Sequence, residues 1–209
     1  MSNADASSGR LFTAVVLVLA AIAIAIWLFV TFNQSGALPV KMDSPPFALT
    51  NMNGEQVTEA RYDNKVRLMS FIFTRCPDIC PATTANMTLL QDELKQLGLF
   101  GGEVEFVSIT FDPENDTPEV LSQYAERMRI DQSGWTLLRG EEKAVQELAG
   151  TYNISIVKLD DGQFVHSITS LLLIDGKQRV RSIYKMGEDM DNAVIIEDIR
   201  ALVQELEQK

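Results

Sequence analysis

Histidine and cysteine are almost missing from this chain of 209 residues, which holds one His and two Cys. A disulfide-stapled scaffold needs more cysteines, and a zinc site of four Cys and His ligands cannot be assembled from three side chains. Positive charge is also short. Lys and Arg number 18 against 29 Asp and Glu, a net charge of −11 with His neutral. Such a surface repels phosphate backbones, so nucleic acid is excluded as a natural partner. There is no Gly-rich phosphate loop, no Ser/His/Asp arrangement, no internal repeat and no low-complexity tract. Apolar residues at 46% and charged residues at 22% exclude a collagen-like or largely disordered chain. The length allows one medium domain and an appendage.

What is present begins with a long apolar run. Leu11 to Phe32 contains no charge and no proline. As a helix it would reach about 33 Å, enough for a hydrocarbon core of about 30 Å. Trp27, Phe29 and Phe32 fall towards its outer end, where an aromatic belt sits. A cleaved signal peptide is the competing reading, with Ser35-Gly36-Ala37 as its cleavage site. The run is longer than a signal h-region and only Arg10 precedes it as a basic side chain, so a retained anchor is favoured. A lipoprotein is excluded by the lack of cysteine near the run. Arg10 and the α-amino group place the N-terminus inside. The expected organisation is a short cytoplasmic segment 1–10, a transmembrane anchor 11–32, a linker 33–46 and a folded domain 47–209. The expected location is a bacterial inner membrane, single-pass, with the domain on the outer or periplasmic side.

The linker assignment rests on Asn, Gln, Ser, Gly and three prolines between residues 33 and 46. Beyond it, strand and helix patterns alternate. Asn53-Gly54 is a hairpin turn after Phe47-Ala48-Leu49. Val66 to Phe73 and Val104 to Phe111 read as buried strands. Between them, Met87, Leu90, Leu94 and Leu97 recur at helical spacing over Cys80 to Leu97. Thr117-Pro118 fits an N-cap with proline at the first helical position. Glu141 to Thr151 reads as a helix and Asp160-Asp161-Gly162 as a turn. Ser170 to Ile174, the turn Asp175-Gly176 and Arg179 to Tyr184 form a hairpin, and Ile195, Ile199, Leu202, Val203 and Leu206 mark a closing helix. The pattern predicts an α/β sandwich with a mixed central sheet.

The chemistry concentrates at Thr74-Arg75-Cys76-Pro77-Asp78-Ile79-Cys80-Pro81, where a buried strand ends and a helix begins. Sites in open α/β sheets form at the carboxyl ends of strands. A helix N-terminus favours the thiolate, which attacks disulfides and binds soft metals. Cysteines four apart face one side of a helical turn. A plain structural disulfide is the bland alternative, but so small a loop gives a poor staple. His166, alone, would read as an ordinary core or surface residue. Two thiolates with one imidazole are a ligand set that suits copper, thiolates for Cu(I) with imidazole supporting Cu(II).

FIFTRCPDICPATTANMTLL, FDPENDTPEVLSQYA and the VHS before SLLLIDG resemble the Sco/SenC family of membrane-anchored, thioredoxin-like copper proteins, from about Pro46 to the C-terminus. The resemblance implies a thioredoxin-like fold. It implies one copper ion, Cu(I) or Cu(II), on Cys76, Cys80 and His166, with Asp78 and Asp112 in supporting roles. It also implies delivery of copper to the dinuclear site of cytochrome c oxidase subunit II, with another copper chaperone or a thioredoxin-like reductant as a further partner. Val165 precedes the histidine, where the family often carries Asp.

A thiol-disulfide reductase is the competing function. Cys76 would attack and Cys80 would resolve the mixed disulfide. The CxxxC spacing departs from CxxC. All seven prolines lie at or before Pro118, so the later-strand proline of thioredoxins is absent. Thr74 stands too close to Cys76 for a peroxiredoxin T-x-x-C. The scattered methionines, Met69, Met87 and Met128 among them, read as core filling, with Met186 and Met190 undecided. Trp135 reads as a packed aromatic. Glu114 and Asp116 read as a solvated turn with helix capping.

Overall fold

The computed structural model describes residues 14–27, 38–158, 164–166 and 170–208. The chain divides into two units, residues 1–37 and 38–209. In the first, residues 14–27 form helix α1, whose aliphatic side chains are exposed. Among the described residues no helix is long and apolar enough to cross a membrane. Residues 11–13 and 28–32 of the expected span, Arg10 and Ser35-Gly36-Ala37 lie outside the described residues.

The second unit begins inside the stretch expected as linker. Met42–Asp43 form β1, bonded antiparallel to the last strand of the sheet. Lys41 N–H donates to the Val180 carbonyl at 2.8 Å and Ser44 N–H to that of Gln178 at 2.7 Å. Pro39 and Pro45-Pro46 flank this edge strand, and none lies within it.

The strands β2 (Ala48–Asn51) and β3 (Gln56–Thr58) form the hairpin turned by Asn53-Gly54. Gly54 sits at φ +81°, a conformation that a side chain would strain. Strand β4 (Val66–Ile72), helix α2 (Ile79–Gln96), strand β5 (Val104–Thr110), helix α3 (Pro118–Arg127), strand β6 (Trp135–Arg139) and helix α4 (Glu142–Thr151) follow as crossover units. β4, β5 and β6 run parallel. Next come the short pair β7 (Ile156–Lys158) and β8 (Phe164–His166), then β9 (Ser170–Ile174), β10 (Arg179–Lys185) and helix α5 (Asn192–Glu207). The main sheet has the order β1-β10-β9-β4-β5-β6-β2-β3. It is mixed, with antiparallel partners on both flanks of the parallel centre.

Every residue of β4, β5 and β9 is buried, which explains why these strands are mostly apolar on both faces instead of alternating. Each large apolar side chain so buried contributes about 1.5–3 kcal/mol. The Thr117 hydroxyl caps α3 by accepting the Val120 N–H at 3.4 Å, and Pro118 opens the helix as expected. Strand β6 was not legible beforehand, because WTLLR neither alternates nor runs long. Trp135 is fully buried, and its indole N–H donates to the Ser108 hydroxyl at 3.0 Å. The pair β7–β8 was also missed; the turn expected at Asp160-Asp161-Gly162 lies outside the described residues. Met69 and Met87 are core residues, Met128 and Met190 pack against the core, and Met186 is buried.

Two charges interrupt the central strands. Glu105 pairs with Lys65 and, at 3.5 Å, with Arg61. Arg67 has no carboxylate partner among the described residues. It donates to the Ser44 hydroxyl at 3.1 Å and the Gln178 side-chain oxygen at 3.0 Å. Its guanidinium lies 4.8 Å from the Tyr62 ring centroid and 5.5 Å from that of Phe47. Burial pulls its pKa below the ordinary arginine value.

Candidate metal centre

Strand β4 ends at Ile72, and four residues later Cys76 stands at the mouth of α2. Neither cysteine is in a disulfide, and both are buried. The turn is closed by the Cys76 N–H donating to the Phe73 carbonyl at 3.2 Å. The Cys80 N–H then donates to the Cys76 sulfur at 3.3 Å. Asp78 holds the N-cap position but gives no side-chain cap bond. The sulfur of Cys76 therefore does the capping, in a place where free amides and the helix dipole favour negative charge. Pro81 is tolerated because it lies in the first turn, whose amides lack intrahelical acceptors.

The two thiols interact directly. The hydrogen bond to Cys76 pushes the Cys80 pKa far above the ordinary thiol value, and burial and the charge of Cys76 push it the same way. The Cys76 sulfur is the acceptor in this pair. One turn on, the Thr84 hydroxyl donates to the Cys80 carbonyl at 2.9 Å and lies 2.7 Å from the Tyr124 hydroxyl of α3. Burial raises the Tyr124 pKa to about 12, and the nearby cysteines add to it.

Two buried aspartates grip the residues before Cys76. Asp112 accepts from Arg75 Nη2 at 2.8 Å and Nε at 3.2 Å, and from the Asn115 amide at 2.8 Å. Asp112 is thereby tied to Arg75, the residue before Cys76. Asp116 was expected in a solvated turn, and the structure corrects that. It is completely buried. It accepts the Thr74 backbone N–H at 3.1 Å and both the Thr74 and Thr110 hydroxyls. Burial raises its pKa, with those hydrogen bonds pulling the other way. Its partners are remote or inconspicuous in sequence, so FDPENDTP reads as a polar turn. Glu114 does remain exposed, and pairs with Lys158 at 3.0 Å.

On the far side of α2, Gly187 at φ +78° lies so close that a Cβ would meet Ile79 at 3.1 Å. Its N–H donates to the Thr83 hydroxyl at 2.8 Å. The 3-10 turn Gly187–Asp189 thereby buttresses the residue between the cysteines.

The backbone of His166 ends β8, paired in register with Ile156; its side chain lies outside the described residues. Among the described residues no group of three or more His, Cys, Asp and Glu is placed to hold a metal ion. Those residues bring together two soft sulfur donors, Cys76 and Cys80, at the N-terminus of α2. That donor chemistry fits a soft monovalent metal or a thiol-disulfide exchange.

A family model for SCO1/SenC matches residues 38–204. The SCO1 protein homolog of Bacillus subtilis is 32% identical over 166 residues, covering 78% of this chain and 84% of that protein. The solved structure of BsSco, described as a member of the Sco family of cytochrome c oxidase assembly proteins with a disulfide switch, is 30% identical. It superposes with a TM-score of 0.71 over 79% of this chain and 96% of BsSco. ScoI of Arabidopsis thaliana, solved with copper bound, is 27% identical with a TM-score of 0.63, over 79% of this chain and 99% of that one. The match spans the cysteine loop, both aspartates and β8, and the chain belongs to the SCO1/SenC family.

Proposed function

We propose that this protein is a copper carrier for cytochrome c oxidase assembly, with copper as its cargo. One observation carries the reading: two adjacent cysteines, not joined in a disulfide, at the N-terminus of α2 in the CPDICP loop, with the Cys80 N–H donating to the Cys76 sulfur. Membership of a family that includes an oxidase-assembly protein and a relative solved with copper supports it. In this reading Cys76 and Cys80 hold Cu(I), and His166 joins them for Cu(II). Loading displaces the proton of Cys80, so binding weakens as pH falls. Asp112 and Asp116 shape the loop through Arg75 and Thr74 and do not ligate. Residues 11–32 anchor the chain with the domain outside the cytoplasm, and the recipient is the dinuclear copper site of oxidase subunit II.

The test is an anaerobic Cu(I) titration of the reduced full-length chain against a competing chelator. One tight equivalent is expected, lost in Cys76→Ser and in Cys80→Ser. Retention of tight Cu(I) in either variant contradicts the reading.

The reduced cysteine pair and the disulfide switch described for BsSco favour a second reading, a thiol-disulfide reductase. The Cys76 thiolate attacks a partner disulfide and expels one partner thiolate. Cys80, deprotonated, then displaces the second, leaving a Cys76–Cys80 disulfide and a dithiol partner. Failure of copper binding with retained disulfide reduction would establish it.

A further inference from the structure

Strands β7 and β8 form a two-stranded sheet separate from the main one, and β8 carries His166. Each strand makes one conspicuous contact with the rest of the domain. From β8, the buried ring of Phe164 packs 5.1 Å from Phe111 and 5.6 Å from Phe73, centroid to centroid. Phe73 and Phe111 themselves lie 5.1 Å apart. Phe73 supplies the carbonyl that closes the Cys76 turn, and Phe111 directly precedes Asp112. From β7, Lys158 reaches Glu142 at the start of α4 at 2.7 Å and Glu114, after Asp112, at 3.0 Å. Lys158 and Phe164 are register partners across the pair, and the ammonium lies 5.4 Å from the Phe164 ring centroid.

A single exposed ion pair contributes little. Here one ammonium, 28% exposed, binds two carboxylates on two different elements and covers an aromatic ring. The arrangement ties both strands to the ends of β4 and β5, where the cysteine loop is built.

We propose that Phe164 and Lys158 are positioning residues that fix the strand of His166 against the cysteine loop, and so set Cu(II) affinity without setting Cu(I) affinity. This rests on the reading of His166 as a Cu(II) ligand. Residues that orient a metal ligand typically change affinity by 10- to 100-fold when replaced.

The experiment compares the wild-type full-length chain, His166→Ala, Lys158→Met, Lys158→Arg and Phe164→Leu, all reduced. Cu(II) and Cu(I) are titrated separately against competing chelators, with the thiolate–Cu(II) absorption band recorded. Lys158→Met and Phe164→Leu should weaken Cu(II) about tenfold and shift the band, with Cu(I) changed less than about twofold. Lys158→Arg should restore both. If His166→Ala loses Cu(II) while Lys158→Met and Phe164→Leu bind it like wild type, the positioning role is overturned and the ligand reading survives. If Lys158→Met weakens both copper states equally, the effect is on the whole fold and the positioning role is again overturned. If His166→Ala keeps full Cu(II) affinity, the ligand reading fails and takes the inference with it.

Discussion

The backbone amide of Cys80 donates to the sulfur of Cys76 at 3.3 Å. One sulfur therefore serves as a helix cap, while the other is held as a thiol by its neighbour, by burial and by like charge. Nucleophilic chemistry falls to Cys76. Limited alkylation of the reduced chain near pH 7 should give a single adduct, on Cys76, well before any on Cys80. Equal labelling of the two by peptide mass mapping would contradict this asymmetry.

Arg75 partners the buried carboxylate of Asp112, although its own side chain is half exposed. Arg75→Met leaves that carboxylate with the Asn115 amide and no cation among the described residues. The loss should be about 1–2 kcal/mol, less than for a fully buried pair because water reaches the Arg75 side. Urea denaturation measures it, and a difference below about 0.3 kcal/mol would show that the pair contributes nothing measurable.

Two aspartates should give opposite pH dependences. The folded-state pKa of Asp116 is raised above 3.8 by burial. Its contribution is present below that ordinary value and is lost as pH rises through the raised one. Asp131 pairs with Lys95 and is held down to about 2. Its contribution is present above 3.8 and is lost as pH falls through about 2. With urea midpoints taken across pH, the stability of wild type minus Asp116→Asn should fall with rising pH. Wild type minus Asp131→Asn should rise. Slopes of the same sign would contradict one of the two assignments.

Arg67 carries a charge into the centre of the sheet, with no carboxylate to receive it among the described residues. An unpaired buried cation keeps its desolvation cost, whereas a methionine would fill the space without one. Arg67→Met should therefore hold stability within about 1 kcal/mol of wild type or exceed it. Arg67→Ala, which also leaves a cavity, should lose about 2–4 kcal/mol. A loss in Arg67→Met as large as in Arg67→Ala would mean that the bonds to Ser44 and Gln178 outweigh desolvation.

Local signals carried most of the fold. The apolar runs at Val66 and Val104, the Thr117-Pro118 start and the Asn53-Gly54 turn are written in neighbouring residues, and each forms the expected element. The cysteine loop was legible for the same reason, lying where a strand period gives way to a helix period. What sequence could not show depends on remote partners. Asp116 reads as solvated until Thr74 and Thr110 close over it. Phe164 is one phenylalanine among ten, and its meeting with Phe73 and Phe111 follows only from the chain path. Lys158 likewise acquires its meaning from Glu114 and Glu142, 44 and 16 residues away. Arg67, inside a mostly apolar run, gave no warning that its charge would meet Ser44 and Gln178 and no carboxylate among the described residues.

The most direct test of the account is a Cu(II) titration of the reduced full-length chain, followed by absorption, in wild type and in His166→Ala. The account predicts one tight equivalent with a thiolate–Cu(II) charge-transfer band in wild type. In His166→Ala the band and the tight Cu(II) site should disappear while Cu(I) still binds. Reduced wild-type protein that takes up no copper tightly would contradict the carrier function, and the Cys76–Cys80 pair would then be read as a redox couple.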